Sequence, residues 1–508
     1  MSVNTTSELL NIGHDDAIAI KAPGRSPLSY AAIRSLSKRT QQSLSQAGIT
    51  KKDRVAIVLP NGPEMATAFV TISGASTTAP LNPAYRQEEF EFYLDDLKAK
   101  ALVVEAGSAS PAVAAAQKLG IPLINLVIDS SHAAGDFDLT FETTAPIASA
   151  SHDAVDENYI ALILHTSGTT SRPKIVPLSH INVTSSAENI MNTLSLVPGD
   201  RCLNIMPLFH IHGLIATVLS SLRAGASIYC TPGFNALKYF SWMDDSKPTW
   251  YSAVPTMHQA ILTRAARSKD IIDAVPLRFI RSSSSSLPPQ VMAELENTFA
   301  APVIEAYGMT EAAHQMASNP LPPAVRKAGT VGIAAGPEVG IMSLEGEILK
   351  NGEVGEIVIR GQNVTKGYEN NPKANEENFT NGWFRTGDQG VLDAEGYVSI
   401  TGRLKEIINR GGEKISPREV DEVLMDHPAI QQCVTFAMPH PKLGEEVAAA
   451  VVLKEGMTAD EKDIRTFTAL HLADFKVPRK VLILDEIPKG ATGKLQRIGL
   501  AEKLGLAG

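Results

Sequence analysis

A hydroxyl- and glycine-rich loop follows an apolar run and ends in a lysine, in the sequence LHTSGTTSRPK at residues 164–174. Serine and threonine hydroxyls and backbone N–H groups donate to phosphate oxygens, Gly168 lets the backbone approach closely, and Lys174 adds a positive charge. A Walker A loop would need a second glycine before the lysine and a hydroxyl residue after it. The loop therefore predicts phosphate chemistry unlike that of ATPases and kinases, although its composition alone is also typical of a flexible connector.

A second segment places an aromatic ring, a hydroxyl and a carboxylate close together, in the sequence EAYGMTE at residues 305–311. A carboxylate oxygen beside phosphates recruits Mg²⁺, and a flat ring such as that of Tyr307 stacks on a base. The alternative is the start of a surface helix with Thr310 as its N-cap. Taken alone, the segment is better interpreted as that helix start, and only its combination with further motifs favours a site for a nucleotide and its metal ion.

Five segments in order along the chain resemble the motifs of the adenylate-forming superfamily, which includes acyl-CoA synthetases, firefly-type luciferases and peptide synthetase adenylation domains. The five are TSGTTSRPK at 166–174, EAYGMTE at 305–311, RTGD at 385–388, GRLKEII at 402–408 and PKGATGK at 488–494. The resemblance covers nearly the whole chain. It implies an ATP- and AMP-binding site formed by Thr166, Ser167, Gly168, Thr169, Thr170, Lys174, Glu305, Ala306, Tyr307, Thr310, Asp388, Arg403 and Lys494.

The resemblance also implies a role for individual residues of the nucleotide site. Tyr307 would pack on adenine, Thr310 would contact the α-phosphate, and Glu311 would hold Mg²⁺. Asp388 would accept hydrogen bonds from both ribose hydroxyls, which requires an ionised group that only accepts. Arg403 would reach the ribose or the phosphates. In isolation, the segment around Asp388 would be interpreted as a turn.

The C-terminal motifs imply two successive half-reactions. Lys494 would bridge the substrate carboxylate and the α-phosphate as negative charge develops there. Lys405 would be the hinge, where relatives carry Asp or Lys, and Gly411 and Gly412 would leave space for the pantetheine arm of CoA. The catalytic residues implied are Lys494, Thr310 and Glu311. An acid would first react with ATP to give an acyl-adenylate, and CoA would then displace AMP.

Polar residues in the expected acyl pocket indicate a small anionic acid. Five serines at 282–286 stand where ligases of fatty and aryl acids commonly have small apolar residues. His210 occupies a position that lines the acyl pocket in relatives, and His314 follows the second motif by three residues, which on a helix would place it on the same face. Singly, a serine run is typical of a loop and a histidine of a satisfied core residue. Together they predict that a second carboxylate is bound by His210, Ser284, Ser285 and His314.

Two longer stretches, at 307–322 and 407–417, resemble the oxalate–CoA ligase branch of the superfamily. Ile175 departs from the wider pattern, where glycine usually follows the lysine. The resemblance implies conversion of oxalate, ATP and CoA to oxalyl-CoA, AMP and diphosphate, with Mg²⁺ as cofactor. The alternatives are a ligase for another small, dicarboxylic or medium-chain fatty acid, a non-catalytic nucleotide-binding relative, and loading of a carrier protein.

The elements that must position these residues suggest an α/β protein with two parts. Strand-like and helix-like runs alternate through the first 150 residues, as in 54–59 followed by 64–73, whereas 131–157 is expected to be a surface connection. Glycine-punctuated strands at 352–400 predict a β-rich subdomain, and a helix is expected over 416–425. We predict a large layered N-terminal domain at 1–402, with this β-rich subdomain, and a small mobile α+β C-terminal domain at 403–508.

Composition excludes several other classes of protein. The 508 residues are 44% hydrophobic and 20% charged, and no apolar run is long enough to span a membrane. A net charge of −9 argues against nucleic-acid binding. The three cysteines are isolated, which predicts buried thiols rather than disulfides or a zinc site. Without a signal peptide or a C-terminal Ser-Lys-Leu, we expect a cytoplasmic protein, and we favour a monomer.

Overall fold

The chain forms two compact units, seen in a computed structural model that describes residues 3–129, 131–141, 155–166, 173–488 and 495–506. The first unit comprises Met1–Val339 and Ile359–Phe384, and the second comprises Gly340–Val358 and Arg385–Gly508. The second unit thus takes in most of the β-rich segment as well as the residues from 403 onward. The predicted domain boundary after residue 402 was placed where the composition of the sequence changes, and it stays a prediction.

Strands of the described residues fall into four sheets. In chain order they are β1 (Ile18–Lys21), β2 (Leu28–Ser29), β3 (Arg54–Val58), β4 (Thr77–Pro80), β5 (Ala101–Glu105), β6 (Leu123–Val127), β7 (Asp138–Phe141), β8 (Ile160–Thr166), β9 (Lys174–Ser179), β10 (Arg201–Asn204), β11 (Ser227–Cys230), β12 (Trp250–Ala253), β13 (Phe279–Ser282), β14 (Val303–Met309), β15 (His314–Ser318), β16 (Ile333–Ala334), β17 (Glu338–Met342), β18 (Gly355–Arg360), β19 (Phe379–Thr380), β20 (Trp383–Leu392), β21 (Val398–Arg403), β22 (Ile408–Arg410), β23 (Glu413–Ile415), β24 (Ile430–His440), β25 (Gly444–Leu453) and β26 (Lys480–Ile483).

Helices cover the sheets and connect their strands. In chain order they are α1 (Thr6–Leu9), α2 (Tyr30–Gln46), α3 (Pro63–Ser73), α4 (Gln87–Leu97), α5 (Pro111–Leu119), α6 (His180–Thr193), α7 (Ser220–Arg223), α8 (Tyr239–Ser246), α9 (Pro255–Ala265), α10 (Lys269–Ala274), α11 (Pro289–Phe299), α12 (Pro372–Asn378), α13 (Pro417–Met425), α14 (Glu461–Ala469) and α15 (Leu500–Lys503). A π-helical segment, His212–Leu219, leads into α7, and a short 3₁₀ turn, Thr310–Ala312, joins β14 to β15.

Two mainly parallel sheets organise the first unit, which confirms the predicted α/β class. The nine-stranded sheet has the order β16-β15-β14-β13-β12-β10-β11-β1-β2, and the seven-stranded sheet has the order β7-β6-β5-β3-β4-β8-β9. Strands β12, β13 and β14 are adjacent and parallel. Their carboxyl ends therefore lie side by side at one edge of the sheet, where open α/β sheets bind their ligands.

The large sheet is fixed in place by an apolar core around these same strands. Tyr251 on β12, Ile280 on β13 and Val303 on β14 are buried in one cluster with Ile261 of α9 and Leu295 of α11. Continuous apolar runs are typical of parallel strands that are covered on both faces. The site residues at the strand ends thus project from a rigid, closely packed base.

One sequence expectation for this unit was wrong. Residues 131–157 were expected to be a surface connection, but their described part contains β7, which pairs antiparallel with β6 at the edge of the seven-stranded sheet, and residues 142–154 lie outside the described residues. Asp138 and Thr140 are exposed whereas Leu139 and Phe141 are half-buried, which is the alternating pattern of a strand with one packed face. Over four residues this alternation is too short to stand out in the sequence, and the pairing with β6 defines the strand.

The second unit has its own small sheet and two amphipathic helices. Its sheet has the order β23-β22-β25-β24, with β26 parallel to β25, and α13 and α14 pack on it around Ile408, Val420 and Ile464. Helix α13 confirms the helix expected over 416–425, since Ser416 is its N-cap and accepts from the Glu419 N–H. The fourth sheet has the order β17-β18-β20-β19, with β21 paired to β20.

No helix among the described residues is long and apolar enough to cross a membrane. The three cysteines are buried and unpaired, as the sequence predicted. Burial raises the pKa of the Cys202 thiol far above its usual value, so this thiol stays protonated.

We expect acid to destabilise the first unit through His180 at the start of α6. Its Nδ1 accepts from the Thr6 N–H at 3.2 Å, and burial lowers the pKa of His180 to about 4. The unfolded chain takes up a proton below about pH 6.5 whereas the folded protein does not, so stability falls from there toward pH 4. The expected loss from this residue by pH 5 is about 2 kcal/mol.

Thermal unfolding at pH 7 and pH 5 measures this effect. His180→Asn keeps an acceptor for Thr6 and removes the titrating group, so its melting temperature should fall less between the two pH values than that of the wild-type protein. Equal decreases would show that His180 does not contribute to acid sensitivity.

Candidate functional site

The predicted phosphate loop is described at its two ends. Thr166 ends β8 and Lys174 begins β9, and the two residues face each other in the antiparallel register. Ser167, Gly168, Thr169 and Thr170 lie outside the described residues. The Nζ atom of Lys174 lies 4.3 Å from the centre of the Tyr368 ring. A cation over an aromatic face is attracted to it, so the ring restrains the lysine at the base of the loop.

Tyr368 also contacts the predicted magnesium ligand. Its hydroxyl donates to Glu311 Oε1 at 2.8 Å, and the Glu311 carbonyl accepts from the Thr365 N–H at 2.7 Å. Burial and the Glu311 charge raise the pKa of Tyr368 far above its usual value, so the phenol remains a donor. Tyr368 therefore orients a carboxylate that is 6% exposed. Sequence analysis missed this residue, because a single tyrosine outside the motifs carries no signal.

Glu311 fits the role of a magnesium ligand that is completed by phosphates. No group of three or more His, Cys, Asp or Glu side chains that could hold a metal occurs among the described residues. Mg²⁺ at phosphate sites is usually held by one or two carboxylates together with phosphate oxygens and water. A single buried carboxylate that is oriented in this way is compatible with such an ion.

Strand β14 ties the second motif to the serine segment. The Glu305 carboxylate accepts from the Leu287 N–H at 2.9 Å, and the Ala306 carbonyl accepts from the Ser283 hydroxyl at 2.8 Å. Tyr307 is buried, and Thr310 begins the 3₁₀ turn at the end of the strand. The predicted nucleotide residues and the predicted acid residues of the first unit thus share one framework.

A cluster of hydroxyls and imidazoles lies at the carboxyl ends of β12 and β13. His212 contacts the Ser284 hydroxyl through Nδ1 at 3.0 Å and the Ser252 hydroxyl through Nε2 at 2.6 Å. The rings of His212 and His314 are 4.9 Å apart at their centres. His212 begins the π-helical segment, an irregularity that is frequent at functional sites.

Arg281 lies beneath this cluster and is fully buried. Its Nη1 atom is 3.2 Å from His314 Nε2 and 3.4 Å from the Ser252 hydroxyl, and its Nη2 atom donates to the Gln315 side-chain oxygen at 3.2 Å. Sequence analysis considered the serines at 282–286 and assigned no role to Arg281. Its position between β12 and β15 depends on strand order, which the sequence does not reveal.

The backbone is strained at two of the predicted acid-binding residues. Ser284 has φ of +72° and His314 has φ of +97°, in the region that favours glycine. Such conformations cost about 1–3 kcal/mol and occur mainly where the surrounding structure enforces them, often at functional sites. The helical argument for His314 was wrong: after the 3₁₀ turn the chain reverses into β15, and His314 reaches the cluster from a strand.

Gly308 is required for this placement of His314. A Cβ atom at residue 308 would lie 1.9 Å from the His314 carbonyl oxygen and 2.6 Å from its Nδ1. We expect Gly308→Ala to displace His314, to lower stability by about 1–3 kcal/mol and to reduce activity. Gly199→Ala is the matched control, since a Cβ there meets open space. Thermal unfolding and steady-state kinetics of both variants test this, and wild-type behaviour of Gly308→Ala would contradict it.

The other predicted acid-binding residues lie around the cluster. The His210 ring packs against Phe209 with centroids 4.5 Å apart, and Ser285 is exposed, with its hydroxyl donating to the Ser284 carbonyl at 2.8 Å. His212, two residues after His210, is the histidine whose ring nitrogens contact the two serines. The segment 207–213 contains both histidines, and its sequence does not indicate which of them contacts the serines.

In the second unit, the predicted ribose ligand is held by its neighbours. Asp388 is 5% exposed, its N–H donates to the Thr386 hydroxyl at 3.1 Å, and one carboxylate oxygen accepts from Arg403 Nε at 3.0 Å. Strands β20 and β21 place Asp388 opposite Arg403. Asp388 and Arg403, two of the predicted nucleotide residues of this unit, thus form one pair.

The predicted hinge and CoA residues are exposed in turns. Lys405 lies between β21 and β22, and Gly411 and Gly412 join β22 to β23 with φ of +59° and +102°. Lys494 lies outside the described residues. Arg497, three residues later, binds Glu406 at 3.1 Å and Asp421 at 2.7 Å. Within the second unit, the segment after Lys494 is therefore anchored beside the predicted hinge.

Comparison with known proteins identifies the family. The AMP-binding enzyme family matches residues 12–369, and the AMP-binding enzyme C-terminal domain matches residues 419–494. Oxalate–CoA ligases from Arabidopsis thaliana and Saccharomyces cerevisiae are 46% and 43% identical, over 95% and 89% of this chain and 94% and 87% of their own. ATP-bound MatB from Rhodopseudomonas palustris is 28% identical, with a TM-score of 0.87 over 99% of both chains. The chain therefore belongs to the family of AMP-binding, adenylate-forming enzymes.

Proposed function

We propose that this chain is an ATP-dependent ligase that converts oxalate and CoA to oxalyl-CoA, with AMP and diphosphate as the other products. The observation that carries this proposal is the cluster of His212, Ser284 and His314 above the buried charge of Arg281. The similarity to two oxalate–CoA ligases over most of the chain supports the same activity.

The cluster suits a second carboxylate better than an acyl chain. Hydroxyl and imidazole groups can donate to carboxylate oxygens, and hydrogen bonds to a charged acceptor are stronger than neutral ones. A hydrocarbon chain in the same place would leave these donors unpaired, at a cost of about 1–3 kcal/mol for each. A short acid with two charged ends therefore fits the residues present.

The nucleotide would be held by residues from the motifs. We assign Tyr307 to adenine, Asp388 to the ribose hydroxyls and Lys174 to the phosphates. Glu311, oriented by Tyr368, would hold Mg²⁺. When bound, Mg²⁺ neutralises charge on the phosphates.

In the first half-reaction, an oxalate oxygen attacks the α-phosphorus of ATP in line. The new P–O bond forms as the bond to diphosphate breaks, which leaves oxalyl-adenylate. Lys494 and Thr310 stabilise the negative charge that develops around the α-phosphate. The second carboxylate does not react, and its contacts with the cluster orient the acid for the attack.

In the second half-reaction, the CoA sulfur attacks the carbonyl carbon of the adenylate. The C–O bond to AMP breaks, AMP leaves with the electron pair, and the thiol proton goes to water. We propose that the pantetheine arm passes Gly411 and Gly412, where the absence of side chains leaves space. The change between the half-reactions would be a rotation of the C-terminal domain about Lys405.

Other members of the same chemical class are the nearest alternatives. Malonate also has two carboxylates, whereas hexanoate and coumarate would require an apolar pocket. A non-catalytic nucleotide-binding protein and a carrier-protein ligase are the remaining candidates, and neither accounts for the polar cluster any better.

The test is AMP release by the purified protein with ATP, Mg²⁺ and CoA across oxalate, malonate, acetate, hexanoate and coumarate, with mass analysis of the CoA ester. We expect oxalate to give the highest kcat/KM and to yield oxalyl-CoA. A preference for hexanoate or coumarate would overturn the assignment of the acid, and no turnover of any acid would overturn the ligase itself.

A further inference from the structure

Arg281 is a buried cation that has no carboxylate partner in the part of the chain that the structure describes. It is 0% exposed, and among the described residues no carboxylate lies within ion-pair distance of its guanidinium. Its hydrogen-bonding partners are His314, Gln315 and Ser252. Gln315 and Ser252 are neutral, and His314 is neutral when its Nε2 accepts from Arg281. Burying a charge is unfavourable unless an opposite charge or strong hydrogen bonds compensate for it.

Arg278 lies three residues before Arg281 and has an ordinary structural role, so it serves as a comparison. Arg278 forms an ion pair with Asp200 and is partly exposed. Burial lowers the pKa of Arg281 to about 9, so its guanidinium is still charged at neutral pH. A positive charge is therefore maintained under the cluster at a cost in stability that Arg278 does not incur.

The guanidinium also determines the direction of the hydrogen bonds around it, because it can only donate. His314 Nε2 must accept from Arg281, so the ring proton of neutral His314 is on Nδ1. The Ser252 oxygen likewise accepts from Arg281, and in the arrangement we infer its own hydrogen donates to His212 Nε2. The Nδ1–H of His212 then donates to Ser284, and the Ser284 hydroxyl hydrogen is left to donate to another acceptor.

We propose that Arg281 is the positioning residue that gives this site its preference for an acid with two negative charges. Its charge balances the second carboxylate, and its hydrogen bonds orient His314 and Ser284 as donors. This inference rests on the proposed function, in which the second carboxylate binds at the cluster. If Arg281 instead only supports the fold, replacing it should not change the preference for an acid with a charged second group over an acid with a neutral one.

Oxalate and oxamate distinguish these two roles of Arg281, since oxamate has a neutral amide of nearly the same size in place of one carboxylate of oxalate. The experiment measures kcat and KM for both acids, with ATP, Mg²⁺ and CoA, in the wild type, Arg281→Gln, Arg281→Lys and the control Arg278→Gln. We expect Arg281→Gln to lower the oxalate-to-oxamate ratio of kcat/KM by about tenfold or more, mainly through the KM for oxalate. Arg281→Lys and Arg278→Gln should keep most of the ratio.

Equal losses for both acids in Arg281→Gln would overturn the inference and leave the ligase assignment intact, whereas no oxalate turnover by the wild type would overturn both. If Arg281→Gln does not fold, Ser252→Ala tests the same chain of hydrogen bonds, because it separates Arg281 from His212 without removing a charge. We expect it to lower the ratio by about threefold or more. An unchanged ratio in folded Ser252→Ala would contradict the orienting role.

Discussion

Replacing His314 by alanine or asparagine is expected to lower kcat/KM for oxalate by about tenfold to a hundredfold, because alanine removes the imidazole donor to a charged acceptor and asparagine replaces it by a shorter amide that donates from a different position. Asparagine adopts a positive φ more readily than alanine, so this second variant separates the loss of the ring from strain at a backbone φ of +97°. Steady-state AMP release with oxalate measures both.

His132→Ala is the control, since His132 is a histidine of the same unit that is paired with Asp138, far along the chain from the cluster. It should retain wild-type kinetics. If His314→Asn is stable and turns over oxalate at the wild-type kcat/KM, His314 does not bind the acid and the cluster is a structural network.

Replacing Lys494 by alanine is expected to lower the rate of adenylate formation by about a hundredfold to a thousandfold. Under the proposed mechanism, the variant lacks the positive charge that would stabilise the oxygen atoms that become more negative in the transition state. Oxalate-dependent exchange of diphosphate into ATP reports this half-reaction alone. Chemically prepared oxalyl-adenylate should still react with CoA, because the second half-reaction does not need that charge.

Lys503→Ala provides the comparison, since Lys503 is an exposed lysine in α15. It should exchange diphosphate at the wild-type rate. Equal loss of exchange and of thioester formation from the prepared adenylate in Lys494→Ala would mean that this lysine supports the fold or the nucleotide generally, and not the first half-reaction.

Sequence reasoning succeeded for the fold where local signals are strong. The serine cap and Pro417 mark the start of α13, and continuous apolar runs mark the buried parallel strands such as β3 and β5. It failed for β7, an edge strand of four residues whose alternation of polar and apolar residues is short and lies in a segment rich in Ala, Ser, Asp and Thr. Local composition predicts long elements with a repeated pattern and misses short strands that are defined by their pairing.

For the site, residue types were more predictable than geometry. Ser284 and His314 were selected for their chemistry and do lie in one cluster, but His314 arrives there through a strained reversal into β15 and not along a helix. Arg281 and Ser252 were missed because they meet only when β12 and β13 pair in register. The sequence alone does not reveal which strands are neighbours, so these contacts across the sheet could not be predicted from it.

Isotope transfer from oxalate tests the central claim most directly. Oxalate labelled with ¹⁸O at every oxygen is incubated with the protein, unlabelled ATP, Mg²⁺ and CoA, and the masses of AMP and of the CoA ester are measured. Attack of a carboxylate oxygen on the α-phosphorus, followed by cleavage of the C–O bond, predicts one labelled oxygen in AMP and three in oxalyl-CoA. Unlabelled AMP formed together with oxalyl-CoA would contradict the adenylate route, and the absence of oxalyl-CoA would contradict the acid.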